Sequence, residues 1–192
     1  KRLTEFMEDQ LNDYKIQRDI PAKNATSGLS PHLHFGEISP WDIWRAIALA
    51  KLDRTCNLQA ADHFLSELGW REFSYHLLYH FPNLPQTNFK AEFDKFPWHN
   101  DEIALKNWQQ GKTGYPIVDA GMRQLWQTGY MHNRVRMIVA SFLTKDLFLD
   151  WRLGANWFLE TLVDADLANN SASWQWVSGS GVDAAPYFRI FN

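Results

Sequence analysis

Apolar residues recur along this chain three and four positions apart and almost nowhere at every second position, a spacing that predicts helices and no sheet. Ser39 ahead of Pro40 has the form of a cap and a first helical residue. Trp41, Trp44, Ile47 and Ala48 follow at helical intervals, giving a helix over residues 40–51. The longest predicted helix covers residues 60–79, where Phe64, Leu68, Phe73, Leu77 and Leu78 are the apolar set and Pro82 closes the stretch. Asn100 followed by Asp101 and Glu102 resembles a cap with acids set against the first-turn dipole, and Gly111 ends that segment. Pro116 opens a helix that reaches Thr128 and stops at Gly129, and further helices are predicted over residues 132–145 and 151–163. Two stretches, 19–37 and 81–100, are broken by prolines and glycines and are expected to be long functional loops. The fold class expected is all-α, a single helical domain over residues 1–192.

Composition narrows the function classes. A chain of 192 residues can sustain one hydrophobic core. It carries neither a long uninterrupted apolar run nor a charged-then-apolar leader, so a soluble, cytoplasmic, monomeric protein with no membrane partner is expected. The lone Cys56 excludes an internal disulfide and a cysteine-based zinc site. A net charge of −3 means that any nucleic-acid contact must come from a local patch. Ten tryptophans are unusual, and core filling with a stacking platform is the simplest use for them.

Some clusters are chemically dense. Thr26-Ser27-Gly28-Leu29-Ser30-Pro31 brings hydroxyls and a permissive glycine together, as a phosphate loop would, although any capped loop uses the same residues. Helix spacing puts Glu67, Trp70 and Arg71 on one surface, suited to a flat polar ligand or to an ordinary ion pair. In His132-Asn133-Arg134-Val135-Arg136-Met137 the same spacing groups Asn133, Arg136 and Met137 and turns Arg134 elsewhere. Asp164 to Asn170 concentrates short polar side chains ahead of Trp174-Gln175-Trp176, matching either an imide-binding set or a helix-cap loop. Glu72, His76 and His80 do not form a His-Glu-x-x-His zinc motif, so no metal is expected. Nor is there a serine or cysteine nucleophile constellation.

In order, Tyr14, Arg18, the Thr26–Pro31 string, Glu67-Leu68-Gly69-Trp70-Arg71-Glu72-Phe73, Gly114-Tyr115-Pro116-Ile117-Val118-Asp119-Ala120, Met131 to Met137, Asp164-Ala165-Asp166-Leu167, Trp174-Gln175-Trp176 and Asp183 to Arg189 resemble the helical FAD-binding domain of the photolyase/cryptochrome family. The resemblance covers nearly the whole chain. It implies FAD as cofactor, with Tyr14, Thr26, Ser27, Gly28, Leu29 and Ser30 at its phosphates. Arg71, Arg136, Asp164, Asp166 and Asn170 would surround the rest, Asn170 facing the flavin N5. Glu67, Trp70, Asn133, Met137 and Trp176 would line a pocket for a pyrimidine dimer, and Arg18, Arg134 and Arg189, with Trp70, would contact DNA. Trp98, Trp151 and Trp174 match an electron relay to the flavin.

The activity implied is light-driven repair of cyclobutane dimers, by an electron lent from excited reduced FAD to a flipped-out dimer. Base flipping by photolyases is a standard example of such extrusion. Glu67 would hydrogen-bond the thymine carbonyls as charge develops there, as an oxyanion hole does. Met131-His132-Asn133 favours cyclobutane dimers over (6-4) products, for which the resemblance implies pocket histidines. Ser171, Ala172 and Ser173 depart from the commoner Asn and Gly-Gly, which leaves the subclass open. No N-terminal antenna-chromophore domain is matched and the helical domain is expected to continue past Asn192, so the chain is expected to be a truncated domain. A cryptochrome photoreceptor without repair, or a cofactor-free helical DNA-binding or scaffold module, are the competing functions.

Overall fold

The computed structural model describes residues 1–186, 189 and 190; Tyr187 and Phe188 of the last motif, with Phe191 and Asn192, lie outside the described residues. The regular structure of the described residues is helical, with one isolated parallel bridge, His99 to Leu149, and no strand. None of their helices is long and apolar enough to cross a membrane. They form two compact units, residues 1–73 and 74–192, where the sequence predicts one domain.

The first unit begins with α1 (Arg2–Asp9), a 3-10 turn (Leu11–Asp13) and α2 (Tyr14–Gln17), none of them anticipated by punctuation. Within the loop expected over residues 19–37 sits a one-turn helix, α3 (Ser30–His34). In α4 (Pro40–Leu52) Ser39 Oγ accepts from the Asp42 amide at 3.1 Å, as the Ser-Pro start implies. Its buried face differs from the predicted stripe: Ile43, Ile47 and Ala50 enter the core, while Trp41 and Trp44 are exposed and stacked at 5.0 Å. Two faces of this helix are apolar, and spacing could not choose between them. α5 (Leu58–His80) is the long helix expected over 60–79; its Ala60, Ala61, Phe64 and Leu68 pack on Phe6, Leu11, Tyr14 and Leu29.

The second unit is built from α6 (Glu102–Gln109), α7 (Pro116–Thr128), α8 (Asn133–Ser141), α9 (Trp151–Thr161) and α10 (Leu167–Ser178). Asp101, not Asn100, caps α6, its carboxylate accepting from the Ala104 amide at 2.9 Å. α7 ends at Gly129 with φ 69°, a left-handed conformation that costs glycine nothing. The single helix predicted over 132–145 is instead α8 followed by a π turn, Phe142–Asp146, which carries the buried Lys145. Burial pushes the Lys145 ammonium pKa down, with nearby Arg189 adding to the effect, and Lys145 Nζ donates to the Arg189 carbonyl. α9 and α10 pack tightly because Gly154 lacks a side chain: a Cβ there would lie 2.1 Å from the Trp174 ring.

Core filling explains fewer of the tryptophans than expected. Trp108, Trp151 and Trp174 are buried, whereas Trp41, Trp44, Trp70 and Trp126 are exposed.

Candidate functional site

In the first unit, α5 presents Glu67, Trp70 and Arg71 within two turns, where the spacing alone suggests an ion pair of Glu67 with Arg71. Glu67 Oε1 accepts from Arg18 Nη1, while Arg71 turns to Glu72 and to the Leu33 carbonyl at 3.5 Å. Arg18, expected at a DNA phosphate, is only 8% exposed. Its Nε lies 3.5 Å from Asp19, its Nη1 meets His63 Nε2 at 3.0 Å, and its guanidinium sits 5.3 Å from the Tyr14 ring centre. Burial disfavours its charge, but the Glu67 hydrogen bond and the neighbouring acids prevail and push its pKa up. Burial raises Tyr14 to about 12, against the opposing pull of Arg18, so the phenol stays neutral and can donate. Trp70 is 53% exposed, with Phe73 against it edge to face at 5.7 Å.

The Thr26–Ser30 loop is held from behind by Arg2, which sequence reasoning missed. Arg2 Nε donates to the Ser27 carbonyl at 2.7 Å and Nη2 to the Thr26 carbonyl at 3.1 Å. Ser27 Oγ accepts from the Leu29 amide at 3.3 Å, while Gly28 and Ser30 complete the loop and open α3. No local pattern joins Arg2 to residues 24 and 25 positions away.

In the second unit, Arg136 bridges Asp164 at 2.9 Å and donates through Nε to the Met131 carbonyl at 2.7 Å. Asp164 has a side chain only 4% exposed, so this pair is well desolvated. Asp166 caps α10 through the Asn169 amide at 2.8 Å and also accepts from the Tyr75 hydroxyl. Asn170 donates to the Ala155 carbonyl at 2.9 Å. The polar run 164–170 is thus both a helix cap and a set of anchored donors and acceptors. At the start of α8, Asn133 is exposed and His132 Nδ1 accepts from the Arg134 amide at 3.2 Å. Arg134 does not turn away from Met137 as the spacing implied: its Nη1 reaches the Met137 sulfur at 3.4 Å.

The relay candidates share one apolar core. Trp151 and Trp174 are buried within it, and Trp98 is partly buried against it. Trp151 Nε1 donates to Asn88 at 2.9 Å, and Trp174 meets the Phe158 and Trp108 rings at 5.1 and 6.2 Å. Trp176, two positions beyond, is half-buried at the edge of the same core. Between these tryptophans lies the fully buried Gln175, which the sequence offered only as part of a motif. Its amide nitrogen donates to the carbonyls of Leu84 and Thr87 at 2.7 and 2.8 Å, and its oxygen accepts from the Phe89 amide at 2.8 Å. The predicted loop 81–100 is therefore pinned onto α10. Asp119 does the same for the turn before α7, accepting from the Thr113 amide and hydroxyl at 2.7 and 2.6 Å and from the Gly114 amide at 3.0 Å.

A family model, the FAD binding domain of DNA photolyase, matches residues 64–192. The chain belongs to this photolyase domain family. It is 58% identical over 191 residues to a deoxyribodipyrimidine photo-lyase of Agrobacterium fabrum, matching 100% of this chain and 40% of the relative. The corresponding photo-lyase of Escherichia coli is 48% identical over 192 residues, again across 100% of this chain and 40% of the relative. The chain thus spans about 40% of the length of the curated relatives it matches. Among solved structures, a bacterial class III photolyase from Agrobacterium tumefaciens superposes with a TM-score of 0.95 at 58% identity, over 100% of this chain and 39% of that one. A Synechocystis cryptochrome superposes at 0.91 with 38% identity, over 100% of this chain and 40% of that one.

Proposed function

We propose that this chain binds FAD and serves light-driven splitting of cyclobutane pyrimidine dimers in DNA. The observation that carries the reading is the pairing, one turn apart on α5, of a carboxylate steadied by Arg18 with the exposed ring of Trp70. A flat base can stack on the ring while its imide edge meets the acid.

The residues present fit the cofactor by the chemistry of their donors. The Thr26–Ser30 hydroxyls and amides, with Arg2 behind and Arg71 on α5, suit a diphosphate. The Arg136–Asp164 pair and Asn170 suit the polar edge of a flavin ring. When bound in its reduced form, FAD supplies on excitation the electron that opens the cyclobutane ring, and regains it afterwards.

The protein's own part is to hold and orient. Arg18 occupies Glu67 Oε1 and leaves Oε2 for the base, which fixes the direction from which the acid meets a dimer. Asn133, exposed at the first turn of α8, offers an amide able to donate to a carbonyl, and Met137 beside it is polarizable and fixed by Arg134. Trp176, half-buried on α10, would offer a second ring to a base. Arg134 and the exposed Arg189 would supply phosphate contacts on a chain of net charge −3, with Arg18 acting from behind the acid instead. Trp98, Trp151 and Trp174 would deliver electrons to the flavin through the core they share.

The test is a visible spectrum before and after blue light with reductant, followed by an assay on dimer-containing DNA. Flavin bands that bleach, together with restored thymines, are the expected result. The likeness to a Synechocystis cryptochrome supports a second reading, photoreception without repair, and bleaching without restored thymines would select it. A colourless full-length protein would overturn both.

A further inference from the structure

Arg18 Nη1 faces two partners at once: Glu67 and, at 3.0 Å, the Nε2 atom of His63. A guanidinium has only donors and never loses its charge in water, so Nε2 must be the acceptor. His63 is therefore neutral in this arrangement, with its proton on Nδ1. The sequence offers no hint of this, because His63 belongs to none of the motifs and lies 45 positions from Arg18.

We propose that His63 is a positioning residue for Glu67, acting through Arg18: the neutral imidazole holds the guanidinium on the carboxylate, and protonation of the ring releases it. The proposal rests on the repair function above, since it assigns Glu67 to the dimer. The geometry leaves Arg18 little freedom. Asp19 holds Nε at 3.5 Å, the Tyr14 ring lies beneath the guanidinium, and His63 and Glu67 share Nη1. A proton on Nε2 would replace the acceptor by an N–H and set a second positive charge against the first, inside a site where Arg18 is buried.

The other charged groups around His63 are otherwise engaged. Lys15 reaches Gln59 at 3.1 Å, one turn before His63, and Asp62 pairs with Lys51. Tyr14, with its ring 6.2 Å from the imidazole, is neutral because burial raises it to about 12. Glu67 and Asp19 therefore reach His63 through Arg18. The consequence for function is an acid-side loss of dimer binding that follows the state of His63.

Two measurements on the full-length, flavin-loaded protein test this. Nitrogen NMR of the histidine-labelled protein is expected to show His63 at neutral pH with Nε2 unprotonated and Nδ1 carrying hydrogen, and to show both protonated on acidification. Dark binding of dimer-containing DNA against pH is then compared for the parent, His63→Gln and His63→Phe. Gln keeps an acceptor without a titrating charge, so the acid-side loss should be absent from that variant. His63→Phe removes the acceptor and should weaken binding at neutral pH by roughly tenfold, the worth of one hydrogen bond to a charged group. Hydrogen on Nε2 at neutral pH, or an acid-side loss in His63→Gln equal to that of the parent, would overturn the proposal. If no version binds dimers at any pH, the repair function and the role of His63 in it both fall, while the NMR decides the Arg18 contact independently.

Discussion

The Glu67 carboxylate is held by a guanidinium that another element supplies. Glu67, Trp70 and Arg71 sit on one helix as predicted, yet the partner of Glu67 is Arg18, 49 positions earlier. Arg134 was expected to diverge from Met137 and instead touches it, because a long guanidinium stem can fold along an i, i+3 row. Trp174 is the clearest residue-scale test of the relay. Trp174→Phe keeps a large apolar ring against Phe158 and should preserve the fold and flavin binding, while flavin photoreduction under blue light should be lost. Photoreduction at the parental rate would remove Trp174 from the relay. At the same contact, Gly154→Ala would drive a methyl into Trp174 at 2.1 Å and Leu143 at 2.6 Å, and should cost about 2 kcal/mol in denaturant unfolding.

Elements were legible where punctuation is local. Ser39-Pro40 and Pro116 with Gly129 mark helix ends in the fold as they do in the sequence. The α6 cap was displaced by one residue, since Asn100 and Asp101 are both good caps and only the backbone turn selects one. Asp101→Ala should therefore cost about 1 kcal/mol of stability while Asn100→Ala costs nearly nothing, by thermal melts of the two variants. The π turn after α8 was invisible, because nothing in Phe142 to Asp146 forbids an ordinary helix. The 81–100 loop is irregular as expected except for a 3-10 helix over Ala91–Lys95, and Gln175 anchors its first part. Gln175→Leu fills similar space and strands three backbone groups near residues 84–89, so it should destabilise by about 3 kcal/mol or more. Hydrogen exchange should show the loop losing protection first, and an unaltered loop would show that the clamp is dispensable.

For the molecule as a whole, the pH dependence of stability should carry the mark of Asp119. Burial pushes its pKa up, but the hydrogen bonds from Thr113 and Gly114 and the charge of Arg123 outweigh that and hold it below the ordinary carboxylate value. A depressed folded-state pKa contributes stability that is complete above the unfolded value and disappears as pH falls through the folded one. Asp119→Asn should therefore be less stable than the parent at neutral pH and converge on it in acid, measured by unfolding at a series of pH values. By itself the sequence determined the all-helical class, most helix limits and the ordered motifs that mark the family, because caps, breakers and apolar spacing act within a few residues. The tertiary structure alone decided the division into two compact units, the burial of Arg18, the outward tryptophan pair on α4, and the contacts of His63, Arg2 and Gln175. Those depend on partners tens of residues apart, such as Gln175 and Leu84, 91 positions apart in the chain. Such meetings are set by how helices pack, and no local pattern of residues encodes them.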